Sequence, residues 1–137
     1  MTQRSTRLTR SRHVTGLACA ALLAFACGES RTSDKPDASY RVAGQVVETS
    51  GSGPDARVVV AHEAIAAFKD RDGKPSDMAA MTMAFGLGPG LDLAQFKAGS
   101  KWQLNFGVTW DRTPVLRITH ATPLPADTQL TLATDTH

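Results

Sequence analysis

Cysteine is scarce in this chain and missing from most of it. The two cysteines, Cys19 and Cys27, lie within the first 27 of 137 residues. A domain built from the remaining residues has no disulfide, no thiolate metal site and no nucleophilic thiol. The sequence also shows no Ser/His/Asp arrangement, no glycine-rich phosphate loop and no paired-acid motif, so nothing in it argues for an enzyme.

The uncharged apolar run near the start of the chain is too short to span a bilayer. It extends from Val14 to Ala26, 13 residues, whereas a transmembrane helix needs roughly 20. A segment with four arginines and no acid precedes it, an order typical of an export signal. A small residue directly before Cys27 resembles a bacterial lipobox, although Phe25 is bulkier than usual there. We expect residues 1–27 to be a signal peptide and Cys27 the lipidation site of an exported, periplasmic, membrane-anchored lipoprotein. The alternative is an ordinary cleaved signal.

Positive charge is low outside those first residues. The whole chain has 15 basic and 13 acidic residues, but four of the basic and none of the acidic residues precede Cys27. A chain processed at Cys27 has 11 basic and 13 acidic residues, a net charge of −2 instead of +2. A mildly acidic domain without a basic stripe is a poor nucleic-acid binder, so no nucleic-acid partner is expected.

Short alternating segments, without a long helical pattern, indicate an all-β domain. Residues 102–108 alternate apolar with polar or small side chains and give the clearest strand pattern in the chain. Four further strands are expected over residues 40–46, 57–61, 81–87 and 115–120, with one helical turn over residues 91–96. A helical turn between the third and fourth of five short strands predicts a small closed barrel resembling the OB-fold.

The other segments are polar or rich in proline, glycine and threonine. We expect a flexible tether over residues 28–39, the barrel over residues 40–122 and a disordered tail over residues 123–137. The connection over residues 63–77 contains the charged stretch KDRDGKPSD and is expected to be a solvated excursion. Trp102 is expected in the core, and His120 has inward parity in the last strand, where it is structural or lies at the barrel rim.

All methionines other than Met1 lie within six residues, as Met78, Met81 and Met83. A thioether is soft, uncharged and has no proton to lose, so it binds soft ions such as Cu(I) or Ag(I) at any ordinary pH. On a strand, residues two apart point to the same face, so the sulfurs of Met81 and Met83 are able to converge on one ion. The alternative is that the methionines only fill a core.

His62 ends the expected second strand, just before the connection that leads to the methionines. One neutral imidazole and two or three thioethers make an uncharged ligand set that suits a monovalent soft ion. The same set is poor for Zn²⁺, which usually has thiolate, carboxylate or several imidazole ligands.

Three stretches of the chain, VVAHEAI over residues 59–65, MTMAF over residues 81–85 and KAGSK over residues 97–101, resemble the CusF-like periplasmic copper-binding domain. The resemblance covers roughly residues 40–121. It implies a five-stranded OB-type barrel that binds Cu(I) or Ag(I) through His62, Met81 and Met83. It also implies a metallochaperone or buffer whose partner is a copper efflux pump or a copper-delivery protein.

This sequence departs from the family pattern at two places. Met78 stands where many members carry a tryptophan whose ring caps the ion, so Met78 is either a fourth ligand or an apolar lid. The connection from His62 to Met78 is also some eight residues longer than usual, and an insertion there could move Met78 away from the ion. The alternative function, from a different class, is a metal-free OB-like lipoprotein adaptor whose methionines belong to the core.

Overall fold

The computed structural model describes residues 35–134 of the protein, and these residues form a mostly β structure. The signal peptide, the lipidation of Cys27 and most of the tether were predicted for residues outside this range, as were the last three residues of the predicted tail. Within residues 35–134, no helix has the length and apolar character needed to cross a membrane.

Seven strands and two single 3₁₀ turns make up the described part of the chain. The strands are β1 (Ala38–Ser50), β2 (Arg57–His62), β3 (Ile65–Lys69), β4 (Pro75–Met78), β5 (Met81–Leu87), β6 (Lys101–Val108) and β7 (Leu116–Pro123). The 3₁₀ turns are Gly53–Asp55 and Leu93–Gln95. The second of these turns confirms the helical turn predicted over residues 91–96, and the Asp92 carboxylate caps it by accepting a hydrogen bond from the Ala94 amide at 2.9 Å.

Five of the strands form one continuous sheet. The order is β1-β2-β5-β7-β6, and β6 pairs with β1 again, so each strand has a neighbour on both sides. The β5–β7 pair is parallel and the other four pairs are antiparallel. The β5–β7 pair is short, with only Gly86↔Arg117 and Leu87↔Ile118, so residues 81–85 of β5 pair with β2 alone.

The core lies inside this sheet because one side chain in two points inward along each strand. The alternation predicted for β6 is confirmed, since Leu104, Phe106 and Val108 are fully buried. Trp102 is half-buried and packs against this core, as predicted. The buried apolar cluster is Val42, Val46, Val58, Val60, Ile65, Phe85, Phe96, Leu104, Phe106, Val108 and Ile118.

The connection after β2 is more ordered than its charge predicts. Its two flanks pair as β3 and β4 in a separate two-stranded sheet, called here the β3–β4 hairpin. The stretch KDRDGKPSD, residues 69–77, is exposed throughout, as predicted. The hairpin is ordered because Phe68 stacks on Tyr40 with ring centroids 4.8 Å apart and meets Trp110 edge-on at 6.3 Å. The Lys69 amide also donates to the Tyr40 hydroxyl at 2.7 Å. These contacts fasten the hairpin to β1.

The predicted inward parity of His120 is wrong. Between β6 and β7 the register runs Asn105↔His120 and then Phe106↔Ile118, so one residue of β7 is left over. This bulge reverses the alternation along the strand. His120 is therefore exposed, whereas Ile118 is buried.

Residues 124–131, called here the C-terminal segment, contain no helix or strand but are tied to the sheet. The Leu124 amide donates to the Lys101 carbonyl at 2.9 Å, and the Lys101 ammonium donates to the carbonyls of Ala126 and Thr128 at 2.7 and 2.6 Å. This differs from the predicted disordered tail, because hydrogen bonds from the Leu124 amide and the Lys101 ammonium fix the segment's backbone to β6.

The stability of the β3–β4 hairpin should depend on its aromatic contact more than on its ion pair. Phe68→Ala removes a half-buried ring, and we expect it to cost about 2 kcal/mol, below the roughly 3–5 kcal/mol of a fully buried phenylalanine. Asp111→Asn breaks the 2.7 Å ion pair between Asp111 and Arg71. The Arg71 side chain is 66% exposed and that of Asp111 is 89% exposed, so the loss should cost below about 0.5 kcal/mol. Urea denaturation of both variants tests this expectation; equal losses would contradict it.

Candidate metal centre

The pairing of β2 with β5 brings His62 directly opposite Met81. The same register places Val60 opposite Met83 and Val58 opposite Phe85. Directly opposed residues of an antiparallel pair point to one face, with Cβ atoms about 4.5–5.5 Å apart. One imidazole and two thioethers therefore project from the same face of two neighbouring strands, as their spacing predicts.

This shared face is the inner, core-facing side of the sheet, and it reaches solvent at the Met81 end. Along it, Phe85 is 0% exposed, Met83 is half-buried and Met81 is 43% exposed. Val58, opposite Phe85, and Val60, opposite Met83, are fully buried. The two sulfurs thus lie between the hydrophobic core and the solvent, where an ion can enter without unfolding the domain.

The hydrogen bond of the His62 ring determines which of its two nitrogens carries the proton and which keeps a lone pair. The residue is 0% exposed, and its Nδ1 lies 2.6 Å from the Glu63 carbonyl oxygen. Because a carbonyl only accepts, Nδ1 carries the proton and donates, which leaves a lone pair on Nε2 of the neutral ring. Metal-binding histidines are commonly oriented by this kind of bond from the other ring nitrogen to a backbone carbonyl.

The Nε2 atom of His62 has no hydrogen-bond partner among the described residues, although it is buried. An unsatisfied buried acceptor costs about 1–3 kcal/mol. A native structure keeps such an atom when it has a use, as a ligand or as a site for a buried water. It is the chemical feature of this site that packing alone does not account for.

Met78 lies at the base of the β3–β4 hairpin. It ends β4 and pairs with Ile65, the first residue of β3 and only three residues beyond His62. Its side chain is half-buried and packs against the core. The connection therefore folds back on itself, and Met78 pairs with the strand that begins three residues after His62.

Gly44 allows β1 to approach the backbone of β2 closely beside His62. It lies opposite His62 on β2 and opposite Trp102 on β6, and it is buried. A Cβ at this position would lie 2.5 Å from Val60 Cγ1 and 2.8 Å from the Ala61 carbonyl oxygen. Alternation in β1 does not reveal this role, since a glycine in a strand is usually interpreted as a bulge or a weak point.

The ring of Trp102 is engaged elsewhere. It packs on Phe96 with centroids 4.9 Å apart, and its Nε1 donates to the Ser100 hydroxyl at 2.8 Å. The exposed His120 lies on the outer face and does not join the site. Among residues 35–134 there is no group of three or more His, Cys, Asp or Glu side chains placed to hold a metal. The donors at the His62 site are of a different kind, one imidazole with thioethers.

Comparison of the chain with family models, with curated proteins and with solved structures finds no match.

Proposed function

We propose that this protein binds Cu(I) or Ag(I) through His62, Met81 and Met83 and passes the ion on without chemical change. The observation that carries the proposal is the buried, unpartnered Nε2 of His62, directly opposite a half-exposed methionine. The all-neutral donor set matches a soft monovalent ion and lacks the thiolates, carboxylates or multiple imidazoles that Zn²⁺ and harder ions prefer.

We infer that the domain is a closed OB-type barrel of the CusF-like kind. Supporting this are the five-strand order that returns to its start and the 3₁₀ turn at Leu93–Gln95, between the third and fourth of those strands. The OB-fold is a five-stranded barrel, and such barrels carry ligands on one face or at one end. The site at the open end of β2 and β5 fits that plan.

The proposed role is that of a carrier or buffer in copper efflux, resistance or delivery. Because Met81 is 43% exposed, a partner's ligand can approach the ion while His62 and Met83 still hold it, and the ion can then change hands one ligand at a time. Export, a lipid anchor at Cys27 and a pump or delivery protein as the partner are parts of this proposal that rest on the resemblance and on the leader-like sequence.

The test is an anaerobic titration with Cu(I), and with Ag(I) in chloride-free buffer. The two cysteines would bind both ions, so the measurement uses a Cys19→Ser, Cys27→Ser variant, called here the cysteine-free protein. We expect one equivalent to bind and to raise the melting temperature, because binding to the native state alone stabilises it. If the cysteine-free protein takes up neither ion, it is better described as a metal-free adaptor whose half-buried methionines are packing.

Met78 should contribute less than the methionines of β5. Met78→Leu keeps the volume and the contact with the core, so we expect unfolding free energy to fall by less than about 1.5 kcal/mol. If the Met78 sulfur is a fourth ligand, Ag(I) affinity of the cysteine-free protein should drop about tenfold, or roughly 1.4 kcal/mol. An unchanged affinity would identify Met78 as an apolar lid. A competition titration against a chelator of known affinity distinguishes the two.

A further inference from the structure

Glu63, the residue after His62, forms hydrogen bonds through its amide, its carbonyl and its carboxylate. Its amide donates to the Ala43 carbonyl at 3.0 Å, and its carbonyl accepts the 2.6 Å bond from His62 Nδ1. Its carboxylate oxygen Oε1 accepts from the Thr131 amide at 2.8 Å. The residue that orients the imidazole is thus fixed from β1 on one side and from the C-terminal segment on the other.

The C-terminal segment reaches Glu63 from a firm anchor on β6. Lys101 holds the segment at three points, through its carbonyl and through its ammonium, which donates to Ala126 and Thr128. Lys101 pairs with Gln45 of β1, and the preceding residue of β1, Gly44, pairs with His62. The segment therefore runs from Lys101 on β6 to Glu63, the residue after the proposed ligand His62.

We propose that Glu63 and the C-terminal segment together position His62 for metal binding, an inference that rests on the function proposed above. The bond between Thr131 and the Glu63 carboxylate is exposed, so it adds little to folding stability. Its effect is to restrict the motion of Glu63, whose carbonyl accepts the hydrogen bond from His62 Nδ1–H. A fixed carbonyl keeps the ring in the tautomer that has its lone pair on Nε2. Outer partners of this type commonly change metal affinity by about 10–100-fold.

The inference is tested in the cysteine-free protein with Glu63→Ala, which removes the acceptor, and Glu63→Gln, which keeps a side-chain oxygen to accept from Thr131. Glu48→Ala is the matched control, because Glu48 is exposed on β1 at a distance along the strand from Gly44. A second pair of variants ends the chain after Leu124, which removes the C-terminal segment's remaining contacts, or after Thr134, which keeps them.

Two readouts separate this inference from the proposed function. The first is the tautomer of His62 in the metal-free protein, measured by ¹⁵N NMR of the ring in mildly alkaline buffer. The parent, Glu63→Gln, Glu48→Ala and the chain ending at Thr134 should show one tautomer, with the proton on Nδ1. Glu63→Ala and the chain ending at Leu124 should show a mixture. A single Nδ1–H tautomer in both of these variants would overturn the inference, whether or not the parent binds metal.

The second readout is Ag(I) affinity by competition titration. We expect Glu63→Ala to weaken binding about tenfold, Glu63→Gln to restore it to within about threefold of the parent, and Glu48→Ala to leave it unchanged. The three single variants should unfold at closely similar urea concentrations, because the bond that Glu63→Ala removes is exposed. An affinity loss as large in Glu48→Ala as in Glu63→Ala would also overturn the inference, since it would show a nonspecific charge effect.

Discussion

Replacing Met81 and Met83 together by leucine is expected to abolish specific Cu(I) and Ag(I) binding while the fold persists. The variant keeps His62 but removes both thioethers from the inward face of β5, where the register places them beside the imidazole. We expect the Ag(I) affinity of the cysteine-free protein to fall at least about a hundredfold, or roughly 2.7 kcal/mol. Competition titration measures the loss.

The same double variant should remain folded because leucine is close to methionine in volume. Such substitutions usually cost below about 1.5 kcal/mol each, and Met81 is 43% exposed already. Added Ag(I) should raise the melting temperature of the parent and not that of the variant. Val47→Ser, at the other exposed large apolar residue of the described chain, is the control and should leave Ag(I) binding intact. Equal silver affinity in parent and double variant would contradict the assignment of the sulfurs.

His62→Leu is expected to separate stability from function. Leucine fills the buried space and removes the unsatisfied Nε2, a relief of about 1–3 kcal/mol, while it gives up the bond to the Glu63 carbonyl, worth about 1 kcal/mol. The unfolding free energy should therefore stay the same or rise by up to about 2 kcal/mol, although a fully buried residue has been changed. Silver binding should weaken at least about a hundredfold. Urea denaturation and competition titration give the two quantities.

His120→Leu is the matched control for this variant. His120 lies in the same sheet but is exposed on its outer face, so the substitution should leave silver affinity unchanged. If His62→Leu binds silver as the parent does, the imidazole is not a ligand. If His62→Leu unfolds the protein while His120→Leu does not, the His62 Nε2 atom has a structural partner such as a buried water. Its lone pair then no longer supports a metal site.

Most of the sheet could be predicted because its strands bury one face only. The two-residue period is visible in β6 as Trp102, Leu104, Phe106 and Val108, and in β5 as Met81, Met83 and Phe85. Those patterns determine which side chains share a face, so the juxtaposition of two thioethers follows from spacing alone. The position of His62 at the end of β2 is likewise visible in the sequence.

What could not be predicted depends on contacts between residues distant in the chain. The leftover residue in β7 exposes His120, and one sequence gives no sign of which strand carries a bulge. The β3–β4 hairpin exists because Phe68 meets Tyr40 and Trp110, rings that lie far from it in the sequence. The C-terminal segment is held by main-chain carbonyls, which carry no residue signature. Gly44 allows the close approach of β2, and the Glu63 carbonyl accepts a hydrogen bond from His62. Sequence periodicity shows neither role.

The most direct test of the central claim is X-ray absorption spectroscopy of the cysteine-free protein loaded with one equivalent of Cu(I). In that protein, Met1, Met78, Met81 and Met83 are the sole sources of sulfur. We predict a first shell with one imidazole nitrogen and two or three thioether sulfurs, and loss of the sulfur signal in the Met81→Leu, Met83→Leu variant. A shell made only of nitrogen and oxygen, or a sulfur signal that survives the double substitution, would contradict the account.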